Sequence, residues 1–435
     1  MKILDWASLG EAGRAAALRR PAVSSSSGLR RQVAATIADV RRRGDDAVRA
    51  LARRYDGAAL KSVKVSPAEM AAAMRSVATE DLAAMKKAVR RVTAFHRLQR
   101  PRPYAAELGR GVLCERRFVP VQRVGLYVPG GRAPLPSTVI MLGVPALIAG
   151  CPVKVLSTPP RRDGSIDPHI LAAARLVGIT DVFKIGGAQA IAALAYGTQS
   201  VPKTDKIFGP GNPWVTEAKV QAAADPEGAA CDFPAGPSEV LVIADAAADP
   251  AFVAADLLAQ AEHGPDSQVI LLSDSAALLR GAAEELRRQL PALARAAIAR
   301  AALLKSRLIR VRGLGQAFAL SNLYAPEHLI INVRNARRWL GDVVNAGSVF
   351  LGPWSPESVG DYAAGPNHCL PTYGFARAYG GLSVESFMKS MTTQELSAQG
   401  LRRLGPVVER LAAVEGLGAH KEAVSLRLRR LRERP

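Results

Sequence analysis

The chain has 435 residues, 49% hydrophobic and 22% charged, a globular composition long enough for two or three domains. No apolar run is long enough to span a bilayer, and the start, MKILDWASLGEAG, lacks the charged-then-apolar plan of a signal peptide, so a cytoplasmic protein is expected. Lys and Arg number 58 against 38 Asp and Glu, but this +20 is spread along helix-like faces with only 5% aromatics, which disfavours nucleic-acid binding more than attraction of acidic small molecules.

Residues 28–100 read as helices. SGLRRQVAATIADVRRRGDDAVRALARRYDG carries apolar positions near a 3.6 period, and SPAEMAAAMRSV opens with Ser66 as N-cap, Pro67 at the first helical position and Glu69 three residues after the cap. From about residue 117 short apolar strands alternate with helical runs. RVGLYVPGG leads into STVIMLGVPALIAG, VKVLS into PHILAAARLVG, DVFKIGG into AQAIAALAYG, and KIFGPG into NPWVTEAKVQAAA. A second set runs through EVLVIAD, DPAFVAADLLA, QVILLSD, a long Ala/Leu/Arg helix, RLIRVRG and HLIINVR. Such alternation with Gly-rich junctions predicts an α/β fold of parallel sheets covered by helices. The tail from about 382 reads as helix through SVESFMKSM, LRRLGPVVERLAAVEG and HKEAVSLRLRRL.

Polar residues collect at the junctions. The apolar helix ends in QAEHGPDSQ, where Gln260 and His263 lie one turn apart on one face. Taken alone this is either a solvated helix end or a polar grip. IGGAQ and FGPGN place glycines between strand and helix, as tight βα turns or as places where backbone N–H groups meet a ligand. Pockets in such sheets are expected beyond the C-terminal strand ends.

Of six histidines, four stand in polar, Gly/Pro-flanked contexts: QAEHGPD, APEHLI, GPNHCLP and GLGAHKE. His96 and His169 read as surface or structural. Gln260 and His263, joined by an Asp and another His from elsewhere, would make an N/O site suited to zinc or a similar divalent ion, and SVGDYAAGPNHCLPT supplies Asp361 and His368. Glu327 and His328 are adjacent, so on a regular strand they would face opposite ways. Only a turn there lets one carboxylate and one imidazole serve a single site as water activator and proton shuttle. Cys114, Cys151, Cys231 and Cys369 are scattered, without a CxxC pair, and read as small buried apolar residues.

Together RVGLYVPGG, PSTVIMLGVPA, KIGGAQAIAALAYGT, KIFGPGN, DFPAGPSEVLVIAD, LLAQAEHGPDSQ, YAPEHL, AGSVFLG, GDYAAGPNHCLPT, MTTQELS and EGLGAHKEAV resemble the histidinol dehydrogenases over nearly the whole chain. The resemblance implies two incomplete Rossmann-like domains with parallel sheets plus two small, mainly helical domains, in an intertwined homodimer. The boundaries expected are an N-terminal arm over 1–27, a first Rossmann-like domain on the metal side from 28–120 plus 239–381, a second on the NAD side over 121–238, and a tail over 382–435 completing the partner's site.

It implies NAD-dependent oxidation of L-histidinol to L-histidine through a bound aldehyde, the last two steps of histidine biosynthesis. One zinc per subunit would be held by Gln260, His263, Asp361 and His420. His328 would be the base and Glu327 the water activator. Ser238, His368 and Glu415 would touch substrate beside the metal ligands; Tyr127, Gln189 and Asn212 would touch the cofactor. PNHC and NPW depart from the family pattern at Pro366 and Trp214 without replacing a functional residue. The rival readings are a zinc-dependent relative oxidising another alcohol, such as a sulfonated diol, and a basic nucleic-acid-binding protein. Neither a membrane nor a nucleic acid is expected as partner.

Overall fold

The structure, a computed structural model, describes residues 1–21, 27–130, 133–233 and 236–433. Part of the expected N-terminal arm, and parts of the PGG and FPAG motifs, lie outside the described residues. In chain order the strands are β1 (Ile3–Asp5), β2 (Tyr104–Glu107), β3 (Val112–Pro120), β4 (Arg123–Tyr127), β5 (Val153–Thr158), β6 (Asp181–Lys184) and β7 (Lys206–Phe208). They continue with β8 (Ala230–Cys231), β9 (Glu239–Ala244), β10 (Gln268–Ser273), β11 (Arg307–Arg310), β12 (His328–Asn332), β13 (Ser348–Leu351) and β14 (Met388–Leu396). Among the described residues they form three sheets, ordered β1-β11-β10-β9-β12-β13, β6-β5-β4-β7-β8 and β14-β3-β2.

The first two sheets are wholly parallel. Covered on both faces, their central strands have no polar side to alternate with, so EVLVIA and QVILLS are buried at every position. No helix among the described residues is long and apolar enough to cross a membrane.

The chain divides into two units. One comprises 1–99 and 121–387; the other comprises 100–120 and 388–435. Within the first, the helices of 28–99 do not join the 239–381 sheet as the sequence grouping supposed. The helix Ser27–Arg43 buries Leu29, Val33, Ile37 and Val40 against Phe183, Ile191 and Val215, in the core of the five-stranded sheet. An amphipathic face specifies that it needs a layer to cover, not which one.

Two further expectations fail locally. The long helix after β10 breaks into Ala276–Gln289, a 3-10 turn Leu290–Ala292 and Ala296–Leu304, because Pro291 cannot donate into a continuing helix. SVESFMKSM is a 3-10 turn, Val384–Phe387, followed by strand β14. There MKSMTTQEL pairs antiparallel with all of β3, and two consecutive threonines suit an extended chain better than a helix. The same second unit then closes with the helices Ala398–Val414 and Gly418–Glu433, where Gly405 leaves room for Leu428.

Candidate active site

The helix Pro250–Ala261 starts on the Asp249 cap, which accepts the Ala251 N–H at 2.8 Å, and buries Val253, Ala254, Leu257 and Leu258. That same face carries Gln260 into the interior with no exposed surface. Its amide is satisfied in one orientation: the nitrogen donates to the Glu357 carboxylate and the oxygen accepts the Glu239 N–H at 3.0 Å. His263 follows the helix end, its backbone N–H on the Gln260 carbonyl at 3.2 Å. The residue as a whole is exposed, but its imidazole is packed closely enough that burial lowers its pKa, against the pull of Asp361 and together with His368 and Arg295.

Glu327 and His328 do serve one place. The helix Leu314–Tyr324 is closed by Ala325 in the left-handed region, φ 54°, so the chain turns before β12 begins at His328. Glu327 therefore lies off the strand, its Oε2 only 3.6 Å from His328 Nδ1. The start of β9 holds both: the Glu239 N–H donates to Glu327 at 2.8 Å, and His328 Nδ1 stands 3.1 Å from the Glu239 carbonyl. A carbonyl only accepts, so the ring proton sits on Nδ1 and Nε2 carries the lone pair. That Nε2 is buried without a partner among the described residues, 3.8 Å from Asp361 Oδ1. Burial pushes the His328 imidazole down to about 3, keeping it neutral, and holds the Glu327 carboxyl well above the usual range.

Asp361 lies on the short helix Glu357–Tyr362, one turn beyond Glu357. Single ligand atoms of His328, Glu357 and Asp361 come within 4.8 Å of one another. Burial pushes Asp361 up to about 6 against the pull of His263, and burial, then Asp361 and Glu327, push Glu357 well up. His368 donates from Nδ1 to the Asp361 carbonyl at 2.7 Å, and its Nε2 faces the Thr138 hydroxyl at 3.5 Å. The preceding Asn367 locks this loop, donating to the Met141 carbonyl at 2.7 Å and to His96 at 3.3 Å. Ser238, half-buried, adjoins the start of β9.

This donor set fits a divalent cation. Two buried carboxyls, Glu327 and Glu357, and the half-buried Asp361 gather here, no Lys or Arg among the described residues pairs with them, and an imidazole nitrogen stands open beside them. Glu357 was not singled out from sequence, although SPESVGDY places it four residues before Asp361.

The location corrects one expectation. Glu239, Gln268 and His328 each begin their strands, so the Glu-His pair sits at the amino ends of the six-stranded sheet. The carboxyl-end rule does describe the other candidates. Tyr127 ends β4, Gln189 follows β6 and Asn212 follows β7. All three line one cavity of about 740 Å³. Tyr127 is buried and its hydroxyl accepts the Gly187 N–H at 3.1 Å. Asn212 caps the next helix, taking the Trp214 and Val215 N–H groups at 3.0 and 3.1 Å. Gly209, φ 123°, is required there, since a Cβ would stand 2.0 Å from the Tyr127 carbonyl oxygen.

His420 and Glu415 belong to the second unit, at the start of the helix Gly418–Glu433 and the C-cap of the helix Ala398–Val414, and both are exposed. The first unit thus brings together Gln260, His263, Glu327, His328, Asp361 and His368. Cys151 and Cys369 are buried as expected, whereas Cys114 and Cys231 are only half-buried.

The sequence profile described as histidinol dehydrogenase matches residues 18–428. The histidinol dehydrogenase of Xanthomonas euvesicatoria is 58% identical over 98% of this chain and 99% of its own; that of Vibrio parahaemolyticus is 51% identical over 99% of both. The crystal structure of histidinol dehydrogenase from Elizabethkingia anophelis superposes with a TM-score of 0.94 at 44% identity, over 99% of this chain and 98% of that one. An α/β oxidoreductase is the class these matches define on this scaffold. The chain belongs to the histidinol dehydrogenase family. Neither the sulfonated-diol nor the nucleic-acid reading gains support from them.

Proposed function

We propose that this chain oxidises L-histidinol to L-histidine with two equivalents of NAD, through an aldehyde that stays bound. The observation that carries this reading is the turn at Ala325, which sets a neutral imidazole with an open Nε2 beside a buried carboxyl and Asp361. His328 Nε2 would take the hydroxyl proton of the carbinol, and a bound NAD would supply the hydride acceptor. Glu327 would take a proton from water as its oxygen adds to the aldehyde carbon, while His328 returns its proton to the former carbonyl oxygen, giving the hydrate and a free imidazole. His328 takes a hydroxyl proton of that hydrate as the second hydride leaves, giving the acid.

Gln260, His263 and Asp361 from this unit would hold zinc, with His420 as fourth ligand. When bound, such a cation would offset the carboxyls beside it and supply Lewis acidity toward the substrate's nitrogen donors. Glu357, which takes the Gln260 amide, orients that ligand. Ser238, His368 and Glu415 contact substrate. Tyr127, Gln189 and Asn212 contact NAD, and the size and lining of their cavity support it.

In this reading 121–238 and 239–381 carry two incomplete Rossmann-like domains, and 382–435 reaches a partner subunit. Leu404, Val407, Leu411 and Val414 favour that docking: they form an exposed apolar stripe at helical spacing on Ala398–Val414. The direct test counts NADH per L-histidinol beside a sulfonated diol. Two NADH from histidinol, lost on chelation and restored by zinc, are expected; one NADH with released aldehyde rejects the two-step course.

A further inference from the structure

The cavity that holds Tyr127, Gln189 and Asn212 has a wall contributed from outside its sheet. The helix Asp45–Tyr55 ends there, and its C-cap residue is Asp56. This is a costly place for a carboxylate. Burial pushes the carboxyl up to about 6, its Oδ2 is buried without a hydrogen-bond partner among the described residues, and it stands at the negative end of its own helix. A buried acceptor left open in a cavity wall calls for a donor that arrives with a ligand.

Dinucleotide-binding βαβ units place an acid just beyond the second strand, where it accepts the hydroxyls of a ribose. Just beyond β5 this chain reads Thr158-Pro159-Pro160-Arg161-Arg162, and the acids that follow are already engaged: Asp163 accepts from Ser165, and Asp167 from Arg161 and the His169 N–H. Thr158 to Arg162 line the same cavity as Asp56, whose charge also reaches the Tyr127 phenol. We propose that Asp56 binds the vicinal hydroxyls of a cofactor ribose, supplying from a helix end the open carboxylate that the segment after β5 does not offer. Two acceptor oxygens match a cis-diol with two donors, while Arg162, whose Cγ would lie 3.7 Å from a Cβ at Gly57, brings positive charge for the phosphates. The inference rests on the cavity being the NAD site.

The test compares Asp56→Asn and Gln189→Ala with wild type at saturating histidinol, varying NAD or NADP. Asp56→Asn should raise KM for NAD about tenfold or more, with kcat at saturating NAD little changed. Without cofactor it should melt above wild type, since an unpartnered buried charge is gone; Asp56→Ser gives the same reading should the amide disturb the helix end. A narrowed preference for NAD over NADP places the contact on the adenosine ribose, where a carboxylate repels a 2′-phosphate. Equal loss with both cofactors places it on the nicotinamide ribose. Unchanged KM in Asp56→Asn beside a raised KM in Gln189→Ala overturns the inference and spares the cavity reading; unchanged KM in both overturns both.

Discussion

Arg20 is a single side chain on which the amino end of β9 depends. It meets Glu239 through two bonds, 2.5 and 2.9 Å, gives a third to the Tyr324 carbonyl at 2.8 Å, and stacks 3.8 Å from the Tyr324 ring. The Glu239 side chain is 2% exposed and that of Arg20 13%. In Arg20→Met the carboxylate stays buried, with the Tyr373 N–H still donating to it at 3.0 Å. Leaving one half of a buried pair costs about 3–5 kcal/mol, and about 3 kcal/mol lowers a domain's melting midpoint by roughly 6–12 °C.

Scanning calorimetry of the single variant measures that loss. Glu239→Gln added to Arg20→Met removes the stranded charge while keeping an acceptor for Tyr373, and should recover at least half of it. Because the Glu239 backbone holds both Glu327 and His328, Arg20→Met should also lower kcat while KM for NAD stays put. A loss below about 1 kcal/mol, or a double variant no more stable than the single one, refutes the stranded-charge account.

Glu327→Gln should slow histidinaldehyde oxidation about a hundredfold more than alcohol oxidation, whereas His328→Asn should slow both; single-turnover assays of each half-reaction decide, and equal losses in the two half-reactions of Glu327→Gln would reject the division of labour. Glu327→Ala and His420→Ala proteins, each nearly inactive, should regain roughly a quarter of wild-type activity when co-refolded, because half the dimers would carry one intact site; inactive verified heterodimers would show the tail serving its own subunit. Asp256, pushed up to about 7 by burial, keeps its proton in the folded chain after the unfolded chain has lost it, so it drains stability as pH rises from 4 through 7. Asp256→Asn should therefore raise the melting midpoint at pH 8 and leave it unchanged near pH 4; an equal gain at both would point to packing.

The metal-side residues were legible singly, because their chemistry is odd for their position: a Gln and a His at the end of an otherwise apolar helix invite a ligand. What joins them was not. The left-handed Ala325 that lets Glu327 and His328 share a site has no glycine or asparagine to announce it. Glu357 stands four residues before Asp361, but nothing in SPESVGDY marks this glutamate as buried. The site's place at the amino ends depends on strand order, since β9 lies between β10 and β12, and no periodicity encodes which strands become neighbours. MKSMTTQEL was misread because the strand it pairs with lies far back in the chain.

The topology also sets an order in time. The five-stranded sheet draws only on Arg123 to Cys231, and with the helix Ser27–Arg43 its core is complete once that stretch has left the ribosome. β1, by contrast, waits for β11, Ile3 against Leu308, and β3 waits for β14, Val112 against Leu396. Such distant closures are slow and leave unpaired edges open meanwhile. The nascent chain can therefore own the finished cavity around Tyr127, Gln189 and Asn212 well before it owns Glu327 or Asp361, so a truncated product would carry that cavity without the Glu-His pair.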